Sequence, residues 1–166
     1  KCASPTGEVL VEEQVRGSDV AIEGMVCGDE VIVLAIASKT KSKINPALDE
    51  TIRFGPTQNG AASVYALVAA SVVESVRLRN AAFHIEAKQS ASGVTVVEWS
   101  PRGCGSGLAS RGLTNVLGID TAHLRIRLLD EGAVFPELDA NRALNREGLL
   151  TFADGALDAL QKTPAW

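Results

Sequence analysis

Glu86 and Glu98 stand in two short apolar runs, Phe83–Lys88 and Val94–Glu98, joined by the polar turn Ser90-Ala91-Ser92-Gly93. Side chains alternate between the faces of a strand. That predicts His84, Glu86 and Lys88 on one face of the first run and Val94, Val96 and Glu98 on one face of the second. With the turn at Ser90–Gly93, Glu86 and Glu98 come near each other on adjoining strands. Two like charges so placed destabilise a hairpin unless a cation lies between them, and Mg²⁺ takes carboxylate oxygens together with substrate phosphates. The plain alternative is a pair of solvent-facing strand residues. The residues directly after Glu98 add weight to chemistry: Trp99-Ser100-Pro101-Arg102-Gly103-Cys104-Gly105. Arginine is the side chain that grips phosphate or carboxylate with two parallel bonds, and glycines permit close backbone approach. Gly103 and Gly105 are placed to let N–H groups meet an anionic intermediate.

Other side chains carry less. The glycine run lacks the Gly-Lys-Ser/Thr ending of a Walker A loop. Cys104 invites a nucleophile reading, but no His–Asp pair lies near it in sequence. His84 reads as a hydrogen-bonding support for the carboxylates, and His123 as a surface or partly buried helix residue. Arg125, Arg127, Asp130 and Glu131 read as a solvated helix face.

The elements that must position these residues begin with a run of strands and continue with helices on either side of the hairpin. Val9–Val15, Val20–Val26 and Glu30–Ala37 read as strands, the last two joined in a hairpin through the tight turn Cys27-Gly28-Asp29. Ser38 to Thr57, with Pro46, Gly55 and Pro56, reads as a long loop. Asn59 is a candidate cap for a helix over 61–76, in which Val64, Leu67, Val68, Val72 and Val76 recur at helical spacing. The hairpin Ala82–Glu98 comes next. Leu108–Leu117 reads as a helix closed by Gly118, and Asp120 as the cap of another running through Leu129. Leu149–Phe152, a turn at Asp154-Gly155 and a short helix at Ala156–Leu160 complete the chain. The fold class is α+β, a mainly antiparallel sheet flanked by helices.

With 166 residues, 46% of them apolar, the chain is long enough for one domain with a sizeable core. A net charge of −4 with both signs scattered, and only four Phe, one Tyr and two Trp, argue against nucleic acid. The longest apolar stretches, Tyr65–Val73 and Val31–Ala37, are too short to span a bilayer. Nothing near Lys1 reads as a signal peptide. Cys2, Cys27 and Cys104 are odd in number and lack CxxC spacing, which favours reduced thiols in the cytosol. The chain starts without Met at the approach to a strand, as a piece of a longer polypeptide would.

An apolar strand ending in Glu, then about a dozen residues, then Glu-x-Ser-Pro-Arg and a glycine-rich loop resembles the metal-binding end of ATP-grasp enzymes. The resemblance is to the carboxylate–amine ligases among them, the relatives of L-amino-acid ligases and carnosine synthase. It implies that Glu86 and Glu98 are the two acidic Mg²⁺ ligands, and that Arg102 holds the transferred phosphate or acyl phosphate. Ser100 stands where the family usually has Asn, a third ligand. Upstream, Val11-Glu12-Glu13-Gln14-Val15-Arg16-Gly17-Ser18-Asp19 is similar to the family's hinge strand Val-Glu-Glu-Tyr-Ile-x-Gly-x-Glu. On that pattern Glu12 and Val15 meet the adenine and Asp19 the ribose hydroxyls, with a shorter arm than the usual Glu. Lys39 corresponds to a lysine or polar position near the phosphates, with Lys41 and Lys43 close by. Glu50-Thr51-Ile52-Arg53 looks like the substrate-facing Glu-x-x-His of the amino-acid ligases, Arg53 replacing the His. His84 resembles a His often found two residues before the first metal ligand.

The resemblance covers roughly Glu8 to Leu129. It implies the C-terminal ATP-grasp subdomain over 1–166, with the N-terminal domain and the lysine-bearing small subdomain preceding Lys1. The implied activity is an ATP- and Mg²⁺-dependent joining of a carboxylate to an amine through an acyl phosphate, with Mn²⁺ as an alternative metal. The partners would be the two small-molecule substrates and the rest of the same polypeptide, with no nucleic acid and no membrane. A homodimer stays open, and the compartment is cytoplasmic. Two readings compete: a nucleotide-binding regulatory module with a degenerate site, fed by Ser100, Asp19 and Arg53, and a structural fragment that binds nothing alone.

Overall fold

The computed structural model describes residues 6–45, 48–55, 62–105, 112–115, 118, 120–131 and 148–151. Strands β1 (Ser18–Cys27) and β2 (Glu30–Lys41) form the expected hairpin, closed by Gly28 and Asp29 with Gly28 at φ 61°. β3 (Asp49–Phe54) pairs with β2, and helix α1 (Ala62–Val76) leads to β4 (Ala81–Ser90) and β5 (Gly93–Ser100). A helical turn at 112–115, α2, precedes α3 (Thr121–Glu131), and β6 (Gly148–Thr151) joins the edge of the sheet. The described strands make one six-stranded antiparallel sheet in the order β5-β4-β1-β2-β3-β6, so the fold is α+β.

The central strands are buried on both faces, hence nearly continuous in apolar residues. Even-numbered β1 residues Val20 and Ile22 and odd-numbered β4 residues Phe83 and Ile85 pack under Tyr65, Ala69 and Val73 of α1. Ala21, Met25, Leu34 and Phe54 face the other way, toward Leu113, Leu124 and Leu128 of α2 and α3. Asp120 caps α3 as expected: its carboxylate accepts from the N–H groups of Ala122 (2.9 Å) and His123 (3.1 Å). Gly118 closes α2 at φ 67°, its N–H bonded to the Thr114 carbonyl. No helix among the described residues is long and apolar enough to cross a membrane.

Several expectations are corrected. Residues 7–16 carry no strand, and Val9, Leu10 and Val11 are exposed. Ser38–Thr57 is not one loop, because β2 runs on to Lys41 and β3 forms from Asp49. β2 ends in four consecutive polar residues, Ser38 to Lys41, and β3 opens on three, Asp49 to Thr51, so neither end shows an apolar period of two. α1 stands where expected, but its buried stripe is Tyr65, Ala69 and Val73, while Val64, Leu67 and Val76 are exposed. An alanine-rich helix apolar on most sides leaves its phase open to packing. Asn59, most of Leu108–Leu117, Phe152, the Asp154-Gly155 turn and Ala156–Leu160 lie outside the described residues.

The hairpin, too, departs from simple alternation. β4 and β5 slip by one residue between Glu86 and Ala87: Ala87 faces Val96 while Glu86 faces Glu98, leaving Val97 unpaired. Val94 and Val96 therefore lie on the α1 side, where they line a groove with Val64 and Leu67. Glu98 and Ser100 lie on the other. A bulge shifts the side-chain phase by one residue, which a regular period of two does not foresee.

Candidate active site

The sheet face covered by α2 and α3 changes character toward one end, from apolar to charged. β1 contributes Asp19 and Glu23, β2 Lys39, β4 His84, Glu86 and Lys88, and register sets them side by side: Glu23 opposite His84, Asp19 opposite both Lys39 and Lys88. Asp49 enters at the start of β3. Glu23, Lys39, Asp49, His84, Glu86 and Gly105 surround a cavity of about 190 Å³ whose apolar floor includes Ala37, Ile52 and Phe54.

Glu86 is the hub. Its Oε1 accepts from Lys39 Nζ at 2.6 Å and lies 3.2 Å from His84 Nε2. The His84 hydrogen bond is the strongest influence on its acidity; with Lys39 it outweighs burial and holds the carboxyl down at about 2. Burial alone would push the His84 pKa down. The hydrogen bonds and charges of Glu23, at 2.5 Å from Nδ1, and of Glu86 overcome it and raise the imidazole to about 9. For Lys39, too, burial opposes the charge, and Glu86, Asp49 and Asp19 raise its pKa overall. Asp49 pairs with Lys41 at 2.7 Å and Lys39 at 3.7 Å.

The expected site residues divide. Glu86 and Glu98 are cross-strand partners, Glu98 the more exposed. Ser100 stands opposite His84. Lys39 sits on Glu86, and Gly105 lines the cavity. Arg102 is exposed and folds along its own loop, donating to the Gly103 carbonyl at 3.0 Å. Gly103 is buried under the Arg125 guanidinium, since a Cβ there would fall 1.7 Å from Arg125 Nη2. Arg125 is thus half-buried against the loop rather than on a wholly solvated face. Asp19 is engaged by Lys88 at 2.6 Å. Glu12 and Val15 lie on the strandless segment ahead of β1, Glu12 exposed. Glu50 is the unpaired residue of a second slip, between β2 and β3. Arg53 is exposed on the face of β3 opposite the cavity. Sequence reasoning missed Glu23 and Asp49. Glu23 left a signal, the lone charge in Val20-Ala21-Ile22-Glu23-Gly24-Met25-Val26.

A family model described as an ATP-grasp domain matches residues 3–110. The chain belongs to the ATP-grasp family. Solved structures share its fold. An L-amino acid ligase from Bacillus licheniformis aligns with a TM-score of 0.57 at 23% identity, over 72% of this chain and 33% of that one. Phosphoribosylglycinamide synthetase from Anaerococcus prevotii aligns at 0.60 and 13% identity, over 70% and 30%. The biotin carboxylase domain of Hydrogenobacter thermophilus 2-oxoglutarate carboxylase, a dimer with MgADP and bicarbonate, aligns at 0.54 and 12%, over 69% and 25%. The chain thus spans about a third of the length of that ligase. No curated protein matches the sequence significantly.

The donors of this ATP-grasp chain suit a hard divalent cation. Glu86 and Glu98 offer carboxylate oxygens from facing positions. The Ser100 Oγ, on the same face, is buried with no hydrogen-bond partner among the described residues. A buried hydroxyl without a partner costs about 1–3 kcal/mol, which a bound ion or its water would relieve. Among the described residues no three His, Cys, Asp or Glu side chains converge to hold an ion unaided. One or two carboxylates completed by phosphates is the arrangement Mg²⁺ uses.

Proposed function

We propose that this chain forms the metal- and phosphate-handling part of an ATP-dependent ligase that joins a carboxylate to an amine. The observation that carries this is the register of Glu86 against Glu98 in a chain of the ATP-grasp family. Glu86 and Glu98, with Ser100, would hold Mg²⁺, which when bound supplies charge neutralisation at the nucleotide phosphates. Arg102 would swing from Gly103 to the phosphoryl group passing to the acid. Gly103 and Gly105 would let backbone N–H groups approach the resulting acyl phosphate, whose carbonyl carbon the amine would then attack, forming the C–N bond and expelling phosphate. Lys39 keeps Glu86 ionised and would meet a nucleotide phosphate. Glu12 and Val15 would seat the adenine, Asp19 the ribose, and Glu50 the edge of the substrate pocket. Arg53, on the far face of β3, has no part in this scheme.

We further propose that residues 1–166 act as the C-terminal part of a longer ATP-grasp polypeptide, whose remainder supplies the other half of the nucleotide site. The test is E98Q in the full-length protein. ATP-dependent phosphate release should fall by at least ~100-fold, about 3 kcal/mol of transition-state stabilisation. Unchanged release would refute the assignment.

A second reading has an observation in its favour. Lys88 occupies Asp19 at 2.6 Å, and Ser is a weaker ligand than the Asn usual at position 100. Both fit a nucleotide-binding module that has lost turnover. Titration with ATP separates the two, because the ligase requires Mg²⁺ for tight binding and a degenerate module does not.

A further inference from the structure

We propose that Glu23 is a positioning residue: one buried carboxylate aims the His84 ring at Glu86 with one oxygen and anchors the loop that carries Arg102 with the other. The inference rests on the proposed metal role of Glu86.

Glu23 lies in the middle of β1 at 3% exposure, between Ile22 and Gly24. Burying an ionised carboxylate costs several kcal/mol, and apolar residues of similar volume often serve stability as well or better. Its partners show what the charge achieves. Oε1 lies 2.5 Å from His84 Nδ1, and Oε2 accepts the Cys104 N–H at 3.2 Å. His84 is itself buried, and its other nitrogen reaches Glu86 Oε1 at 3.2 Å. A carboxylate behind a histidine fixes the ring's orientation and the proton on the nearer nitrogen, as it does for histidines that ligate metals directly. Here the chain is one link longer, carboxylate to imidazole to the carboxylate proposed to hold the ion. The second oxygen acts on the other half of the site. Cys104 lies two residues beyond Arg102, so the same side chain ties the arginine's loop to the central strand of the sheet. Neither β4 nor the loop can shift without breaking one of the two bonds.

The test uses Glu23→Gln in the full-length protein, a change that keeps shape and removes charge. Folding is checked by circular dichroism. The Mg²⁺ concentration for half-maximal phosphate release should rise ~10-fold and kcat fall ~10–100-fold, the usual scale for groups behind a metal ligand, while KM for the amine stays within about twofold. A structural role alone would not separate these. A folded Glu23→Gln protein with wild-type kcat and Mg²⁺ dependence overturns the proposal. If Glu23→Gln does not fold, His84→Asn decides. It leaves Glu23 on Cys104 but cuts the link to Glu86, so Mg²⁺ half-saturation should rise with a smaller loss of kcat; no rise overturns the proposal. Proton NMR reads the link without catalysis. The His84 Nδ1–H should resonate far downfield, vanish in Glu23→Gln and persist in Glu86→Gln. Absence of that resonance from the wild type overturns the proposal whatever the activity. Its presence in a protein that releases no phosphate from ATP overturns instead the function on which it rests.

Discussion

Glu86 keeps its charge because two cationic donors share one of its oxygens, and His84 keeps its proton because carboxylates stand at both ring nitrogens. These couplings set a pH signature in the metal-free protein. The His84 pKa is raised on folding, so its contribution to stability is complete below the ordinary value of 6.5 and is lost as pH rises through about 9. The Glu86 pKa is lowered, so its contribution is complete above 4.5 and is lost as pH falls through about 2. Among the neighbours of the ring, Glu86 of β4 is held down at about 2 and Lys39 of β2 is raised above its ordinary value, so neither changes charge between pH 6 and 9. Melting temperature should therefore decline across that interval and decline less in His84→Asn. Equal melting temperatures at pH 6 and 9 in the wild type would contradict the coupling.

At the scale of elements, small departures from regularity decide the site. The slip at Val97 brings Glu98 to the side of Glu86. A similar slip in the β1–β2 pair falls between Glu23 and Gly24, and glycine is required there by space. A Cβ on residue 24 would lie 2.2 Å from Phe83 Cζ and 2.5 Å from the Ile32 carbonyl oxygen. One neighbour is a buried ring and the other is backbone, so neither yields cheaply. Gly24→Ala should cost about 3 kcal/mol in denaturant unfolding, the upper part of the usual overpacking range. A loss under about 0.5 kcal/mol would mean that β1 and β4 are less tightly packed than they stand. Helices α1 and α3 and the two hairpins were legible in the sequence because turn chemistry and caps are local: Gly28-Asp29, Ser90–Gly93 and Asp120 all act where expected. β3, the three slips and the buried stripe of α1 were not, since each depends on what the neighbouring strand or sheet offers.

For the whole molecule, α2 and α3 pack on the apolar part of one sheet face, and among the described residues neither helix reaches over its charged end. The segment ahead of β1 exposes Val9, Leu10 and Val11 at 72%, 80% and 87%. Apolar exposure of that order stabilises contact with another surface, in line with the proposal that further chain completes the nucleotide site. Calorimetry should then find ATP bound at least ~10-fold more weakly by residues 1–166 than by the full-length polypeptide, a difference of about 1.4 kcal/mol. Equal affinities would show that this chain alone supplies the nucleotide site.

The order of residues was enough to bring out the acid–arginine–glycine constellation from Glu86 to Gly105 and the family to which it belongs. Spacing within a hairpin is a local property, written in consecutive residues. Folding alone decided that Val94 and Val96 leave the face that Glu98 shares with Glu86, and that Arg53 points away from the cavity. It also brought Glu23 and Asp49, distant in sequence, to the same charged cluster. Those outcomes arise from strand register and close packing between elements far apart along the chain, where a shift of one residue exchanges the two faces of a strand.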